Sequence, residues 1–302
     1  MRVAAFDCGT NAIRLLVADV VDGAVQDVRR EMRIVRLGEG VDRTGVFAPA
    51  ALARTFEACH EYAGIVGELG VAAMRFAATS ASRDVRNRDA FVAGVQAALS
   101  IEPEVISGHE EAALSFTGAL SGLLGVERPT LIVDIGGGST EFVLGVDVPA
   151  HIASVDMGCV RMTERYVRND PPSAAEMKQL RQEVDRLIAH AAERVPFDEA
   201  TSLVGLAGSV TTVAAMALDL PSYDPARIHG SRMTRAQVEA VTRTLVQMTR
   251  AERAALPFMH PGRVDVIGSG ATILAAVMAA TGAGEVVVSE HDLLDGLALS
   301  LA

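Results

Sequence analysis

Tryptophan is absent from the chain and lysine occurs once, at Lys178; every other basic side chain of fixed charge is an arginine. A Walker-type phosphate loop is thereby excluded, because its phosphates require a lysine directly after the last glycine. Schiff-base chemistry is disfavoured for the same reason. Cysteine is almost as scarce. Cys8, Cys59 and Cys159 are odd in number, far apart and form no Cys-x-x-Cys pair. That argues against a disulfide framework or a zinc knuckle and for a reducing, cytoplasmic setting. Positive charge is in deficit: the net charge is −11, so neither nucleic acid nor a membrane surface is an expected partner. An anionic ligand would have to find positive potential locally, in arginine, backbone N–H groups or a divalent metal. No signal-peptide pattern is expected at the start, because Asp7 interrupts the first apolar run. The one long uncharged stretch, residues 266–284, holds Gly268, Gly270 and Gly282 with Ser269 and Thr272. It reads as a buried strand, turn and helix rather than a membrane span. Neither a Gly-x-Ser-x-Gly elbow nor a His-Glu-x-x-His helix occurs, and His109 has no metal-ligand partner three or four residues on.

What is present is a chain of 302 residues, half of them apolar, long enough for two domains around two cores. Apolar β-like runs alternate with amphipathic helical segments, which argues for an α/β architecture. Residues 3–7 and 13–20 read as strands around a turn, 49–69 as a helix, 74–78 as a strand, and Asn87 as the cap of a helix reaching Leu99. Residues 105–107 read as a short strand and 109–124 as a helix. Two further strands, 130–134 and 142–146, flank Gly136-Gly137-Gly138. Ser173 with Glu176 and Thr234 with Gln237 have the capping-box spacing that opens a helix. Residues 203–206 and 264–267 read as core strands leading into small-residue turns, Ala207-Gly208-Ser209 and Gly268-Ser269-Gly270. The boundary is expected in the small-residue stretch 121–128. It gives domains 1–122 and 123–302, with helix 292–302 able to pack back on the first.

Within this pattern there is one internal echo. Phe6-Asp7-Cys8-Gly9-Thr10-Asn11 and Val133-Asp134-Ile135-Gly136-Gly137-Gly138-Ser139-Thr140 both run from an apolar strand through Asp into a glycine-bearing turn with hydroxyls. Two related domains facing each other across a cleft would bring these turns together. Three successive glycines let backbone N–H groups converge on an anion with no Cβ in the way. A strand-like run follows instead of a helix, so the turn belongs to a β-hairpin and not to a dinucleotide fold. A plain hairpin also uses such glycines, but the second copy at Asp7 weighs against that reading. Asp7, Asp134 and Glu141 flank the turns and are candidate ligands for a hard cation, or else local caps. Ser107 and Glu110 fit a capping box, which leaves Glu111 for another role in a first turn whose dipole favours the carboxylate. Glu111 is therefore a candidate base for water, against the commoner alternative of a solvated first-turn Glu. Arg83 is placed to fork onto phosphate, or to pair at the surface with Asp84 or Asp89, and Arg14 is a similar candidate beside the first turn.

Taken with Thr79-Ser80-Ala81-Ser82-Arg83, Ile106-Ser107-Gly108-His109-Glu110-Glu111-Ala112, Met157-Gly158-Cys159-Val160-Arg161, Gly205-Leu206-Ala207-Gly208-Ser209-Val210-Thr211 and Arg263-Val264-Asp265 with Gly270, these turns give the chain a resemblance along essentially its whole length. It resembles the exopolyphosphatase and guanosine pentaphosphate phosphohydrolase (Ppx/GppA) family of the actin-like ATPase and sugar-kinase superfamily. The resemblance implies two duplicated ribonuclease-H-like domains with an interdomain cleft and a requirement for Mg²⁺ or Mn²⁺. It assigns Glu111 to the attacking water and Arg83 to phosphate. Its phosphate loops fall on Thr10-Asn11 and on Gly136, Gly137, Gly138 and Ser139, and its metal-linked acids on Asp134 and Glu141. Two departures stand out. Longer members continue into helical domains, so shorter polyphosphate chains are the expected substrate. Where many members show Arg-Glu-Gly, this chain reads Leu294-Asp295-Gly296, and a cation is missing there.

The expected activity is hydrolysis of terminal phosphate from inorganic polyphosphate by metal-assisted attack of water, in a homodimer. Guanosine pentaphosphate hydrolysis is the first alternative. Phosphotransfer to a small hydroxyl compound, with Gly205 to Thr211 as a weak nucleotide clamp, and non-catalytic polyphosphate or nucleotide sensing are the others.

Overall fold

A computed structural model describes residues 1–83 and 85–302. Two compact units result: Met1–Ser121 together with Asp292–Ala302, and Gly122–His291.

The first unit is built on five strands, β1 (Arg2–Cys8), β2 (Ala12–Val21), β3 (Ala24–Ile34), β4 (Ala73–Ala78) and β5 (Glu104–Val105), in the spatial order β3-β2-β1-β4-β5. β1 runs antiparallel to β2 and parallel to β4. Being central, it is buried on both faces, so its sequence is a continuous apolar run without alternation. Ala4, Phe6 and Cys8 join Cys59, Tyr62, Phe91 and Val95, from helices Pro49–Leu69 and Arg88–Leu99, on one side. Val3 and Ala5 meet Leu293, Leu294, Leu297 and Ala298 of helix Leu293–Leu299 on the other. That last helix crosses helix Gly108–Gly122 backbone to backbone. A Cβ at Gly118 would strike the Asp292 carbonyl and one at Gly296 the Leu114 carbonyl, so both positions require glycine.

The second unit repeats the plan with β6 (Thr130–Ile135), β7 (Thr140–Gly145), β8 (Pro149–Val155), β9 (Ser202–Leu206), β10 (Arg232–Thr234) and β11 (Glu285–Val288). The order is β10-β11-β9-β6-β7-β8. An antiparallel trio followed by parallel strands, with the first strand central, occurs in both sheets. Each unit is thus ribonuclease-H-like, with β10 added at one edge of the second.

Several expectations need correction. Residues 264–267 are no strand: a 3₁₀ turn, Pro261–Arg263, leads into helix Ile267–Thr281. Gly268-Ser269-Gly270 lies inside that helix, and Ala207-Gly208-Ser209 opens helix Ala207–Ala217. The glycines had suggested turns, but their use is close approach, since a Cβ at Gly270 would strike the Ser209 side chain. Helix Ile267–Thr281 is buried nearly all round, which erases the amphipathic period. Among the described residues no helix is long and apolar enough to cross a membrane. Asn87 makes no side-chain cap and instead bonds Phe47 N (2.8 Å) and O (3.0 Å). The boxes at Ser173/Glu176 and Thr234/Gln237 are complete.

Two stability predictions follow from these contacts. Gly296→Ala should cost about 1–3 kcal/mol by overpacking, seen as a lower denaturant midpoint with loss of protection in helix Leu293–Leu299 by hydrogen exchange. Glu176 accepts first from the Ser173 N–H and also from Asn169, Ser173 and Arg168, which brings its pKa from 4.5 down to about 2. A lowered carboxylate stabilises the fold above its ordinary value and ceases to as pH falls through the folded one. Amide protection at the start of helix Ala174–Ala192 should therefore weaken between pH 4.5 and about 2, and Glu176→Gln should remove that dependence.

Candidate active site

Parallel strands present their C-terminal ends at one edge of a sheet, where open α/β sheets bind ligands. In the first unit this edge gathers half of the expected residues. Thr79 N bonds Cys8 O and Ile106 N bonds Ala78 O, each at 3.1 Å, so the segments leaving β4 and β5 rise side by side. They carry Arg83 and Glu111, which form an ion pair through Nη2 and Oε2. Arg83 Nε also donates to Ile106 O at 3.1 Å. Glu111 is buried, 8% exposed, and so is not the solvated first-turn residue of the alternative reading. Arg83 offsets the cost of burying its charge. Arg83 thus meets Glu111 in place of the surface pairing with Asp89, and Asp84 lies outside the described residues. Glu110 N is capped by Ser107 Oγ (3.1 Å), but the Glu110 carboxylate does not return to the cap. It pairs with Arg75 at 2.7 Å, the nearer partner for a charged group.

The two hairpin tips share a backbone arrangement. Gly9 N bonds Ala12 O (2.9 Å) and Gly136 N bonds Ser139 O (3.1 Å), leaving Thr10-Asn11 and Gly137-Gly138 as two-residue tips. In each unit the segment after the third strand donates its N–H groups to the tip carbonyls. Gly38 bonds Thr10 O, while Val35 and Arg36 bond Asn11 O. Likewise Gly158 bonds Gly138 O, Cys159 bonds Gly136 O, and Val160 and Arg161 both bond Gly137 O. Arg161 Nε adds a bond to Gly138 O at 2.8 Å. With the carbonyls held, the N–H groups of Thr10, Gly137 and Gly138 meet no acceptor among the described residues, as in an anion-binding turn. Thr10 Oγ1 is buried and also unpartnered there. Gly38 and Gly158 make the approach possible: a Cβ on Gly38 would strike Thr10 Cγ2, and one on Gly158 the Gly137 carbonyl. Gly38, Gly158 and Arg161 were not recognised as site residues from sequence, although Leu37-Gly38 and Met157-Gly158 form a second echo that would have shown them.

Asp134 and Glu141 stand directly opposite on β6 and β7, which puts both carboxylates on one face of the sheet. Both are buried, and Ser154 Oγ donates to Glu141 Oε1 at 2.7 Å. Among the described residues no three His, Cys, Asp or Glu side chains gather to cage a metal. A carboxylate pair suits Mg²⁺, which keeps waters and takes phosphate oxygens. Asp7 faces Arg14 on the β1–β2 ladder. Arg14 donates to Asp7 Oδ2 through Nε (2.9 Å) and Nη2 (2.6 Å), and pairs with Asp292 through Nη1. Its fork is thus occupied by carboxylates. Burial pushes the Asp7 carboxyl up from its usual value, with Arg14 opposing. At Asp292 burial also disfavours the charge, but Arg14, Arg30 and the Leu294 N–H bring it below the usual range. The cation missing at Leu294 has a counterpart, since Arg30 pairs with the fully buried Asp295 at 2.7 Å. A hollow of ≈ 320 Å³ lined by Ser202, Arg232 and Glu285 lies at the opposite end of the second sheet and contains none of these groups.

A fold of two ribonuclease-H-like units, each with a hairpin tip of this kind, defines a class of phosphate-handling proteins. Residues 16–302 match the Ppx/GppA phosphatase family, and the chain belongs to that family. It is 48% identical to Exopolyphosphatase 2 of Mycobacterium tuberculosis over 100% of this chain and 98% of that one. A solved exopolyphosphatase-like protein is 39% identical with a TM-score of 0.96, covering 100% of this chain and 97% of that one. The Ppx/GppA member from Aquifex aeolicus is 28% identical with a TM-score of 0.84 at the same coverage.

Gly158→Ala should force the tip of the second hairpin outward and weaken binding of inorganic phosphate by about tenfold, roughly one good charge-assisted hydrogen bond. Isothermal titration checks this, with the thermal midpoint of the variant as the control for folding.

Proposed function

We propose that this chain is a cytoplasmic exopolyphosphatase that hydrolyses the terminal phosphate of inorganic polyphosphate with Mg²⁺ or Mn²⁺. The observation that carries the reading is Glu111: a carboxylate buried in a helix's first turn, at the ligand-binding edge of the sheet, with an arginine as partner. Full-length similarity to an exopolyphosphatase supports the substrate class. Three buried free cysteines support a reducing compartment.

In this reading the N–H groups of Thr10, Gly137 and Gly138, with Asn11 and Ser139 beside them, take phosphate oxygens. Asp134 and Glu141 would hold the cation, with Asp7 as a further acid, and the cation would supply charge neutralisation on the phosphate. Glu111 accepts a proton from water as the water oxygen bonds to the terminal phosphorus. The P–O bond to the bridging oxygen breaks, and orthophosphate and a chain one unit shorter leave. Arg83 is the natural partner for charge on the transferred group, because a phosphate can compete for the guanidinium that Glu111 holds in the free protein. Arg14, clamped by Asp7 and Asp292, acts on phosphate only through Asp7.

Phosphate release from polyphosphates of several lengths, with guanosine pentaphosphate alongside, tests this directly. Activity on polyphosphate is expected to dominate, and release only from the nucleotide would reverse the substrate assignment. Glu111→Gln should lower kcat by about 10²–10⁴-fold with little change in phosphate binding, and unchanged turnover would remove Glu111 from the mechanism.

A further inference from the structure

An arginine facing a single carboxylate ordinarily engages both its oxygens as a fork. Arg14 does not do so. Nε and Nη2 both fall on Asp7 Oδ2, and Nη1 is drawn away to Asp292. Oδ1 of Asp7 accepts nothing among the described residues, although the side chain is 6% exposed.

Asp292 can hold this position because it is fixed on every side. It is the N-cap of helix Leu293–Leu299, where its Oδ1 accepts the Leu294 N–H at 3.0 Å. Its own N–H donates to Asp295 Oδ2 at 2.9 Å, and Asp295 is secured by Arg30. The Gly296–Leu114 approach sets the helix itself. One oxygen of Asp292 therefore serves the helix, and the other turns Arg14 sideways.

We infer that Asp292 is a positioning residue for Asp7: by holding Nη1 it turns the Nε and Nη2 edge of Arg14 onto one oxygen of Asp7 and keeps Oδ1 open to a cation or water at the Thr10-Asn11 tip. This rests on the phosphohydrolase reading above. Without the charge at position 292, Arg14 swings onto both oxygens of Asp7 and closes it.

Asp292→Asn preserves the capping oxygen and removes the charge, so it separates positioning from folding. On tripolyphosphate the variant should lose about tenfold in kcat with KM within about twofold and a thermal midpoint near that of the parent. Binding of Mn²⁺ in the presence of inorganic phosphate, read from the EPR signal of the free ion, should weaken in parallel. In an Arg14→Gln background the same substitution should cost no more than about twofold further, because the fork it restrains is gone. Losses that simply add in the double variant, or a raised KM with unchanged kcat and Mn²⁺ binding, would overturn the role of Asp292 while leaving the hydrolase reading intact. A parent protein inert on polyphosphate would overturn both.

Discussion

A carbonyl at the tip of a two-residue hairpin needs a donor, and here that donor is always the chain just beyond the third strand. Gly38 with Val35 and Arg36 serves one tip, and Gly158 with Cys159, Val160 and Arg161 the other. This pinning decides the polarity of both tips. Held carbonyls leave the tip N–H groups without an acceptor among the described residues, and an acidic chain with a net charge of −11 thereby has local positive potential there without a lysine. A Cβ at Gly158 would strike the Gly137 backbone and one at Gly38 the Thr10 side chain, so the arrangement depends on two glycines that lie outside the tips.

In the first unit the buried charged side chains are arranged in opposed pairs. Arg83 with Glu111, Arg14 with Asp7 and Asp292, and Arg30 with Asp295 all bury a carboxylate against a guanidinium. A buried pair contributes little net stability, but it fixes geometry, and removing one partner leaves an uncompensated charge. The pairs also differ in make-up: Arg83 meets the Glu111 carboxylate, whereas Arg14 is held between two acids, Asp7 and Asp292.

Much of this was legible in the sequence, and the failures have physical reasons. β1, β2, β4, β6, β7 and β9 show as apolar runs because they lie at or near the buried centre of their sheets. β3 and β8 each lie at one edge of their sheet. Their faces carry Arg29, Arg30 and Arg33, or begin at Pro149, and edges covered in charge or proline lose the apolar signal. β11 has only four residues. The helix from Ile267 was misread because glycines that serve close packing resemble turn glycines. In the site, the Asp-plus-glycine echo and the position of Glu111 could be read directly, since both are local in sequence. Asp292 could not, because its meaning depends on Arg14, 278 residues away, and no local pattern records such a pairing.

The central claim is that the tip amides receive phosphate. An amide NMR titration of the Glu111→Gln protein with tripolyphosphate tests it most directly. The resonances of Thr10, Gly137 and Gly138 should shift together and saturate at a common ligand concentration. Resonances elsewhere moving and saturating while these three stay fixed would contradict the account.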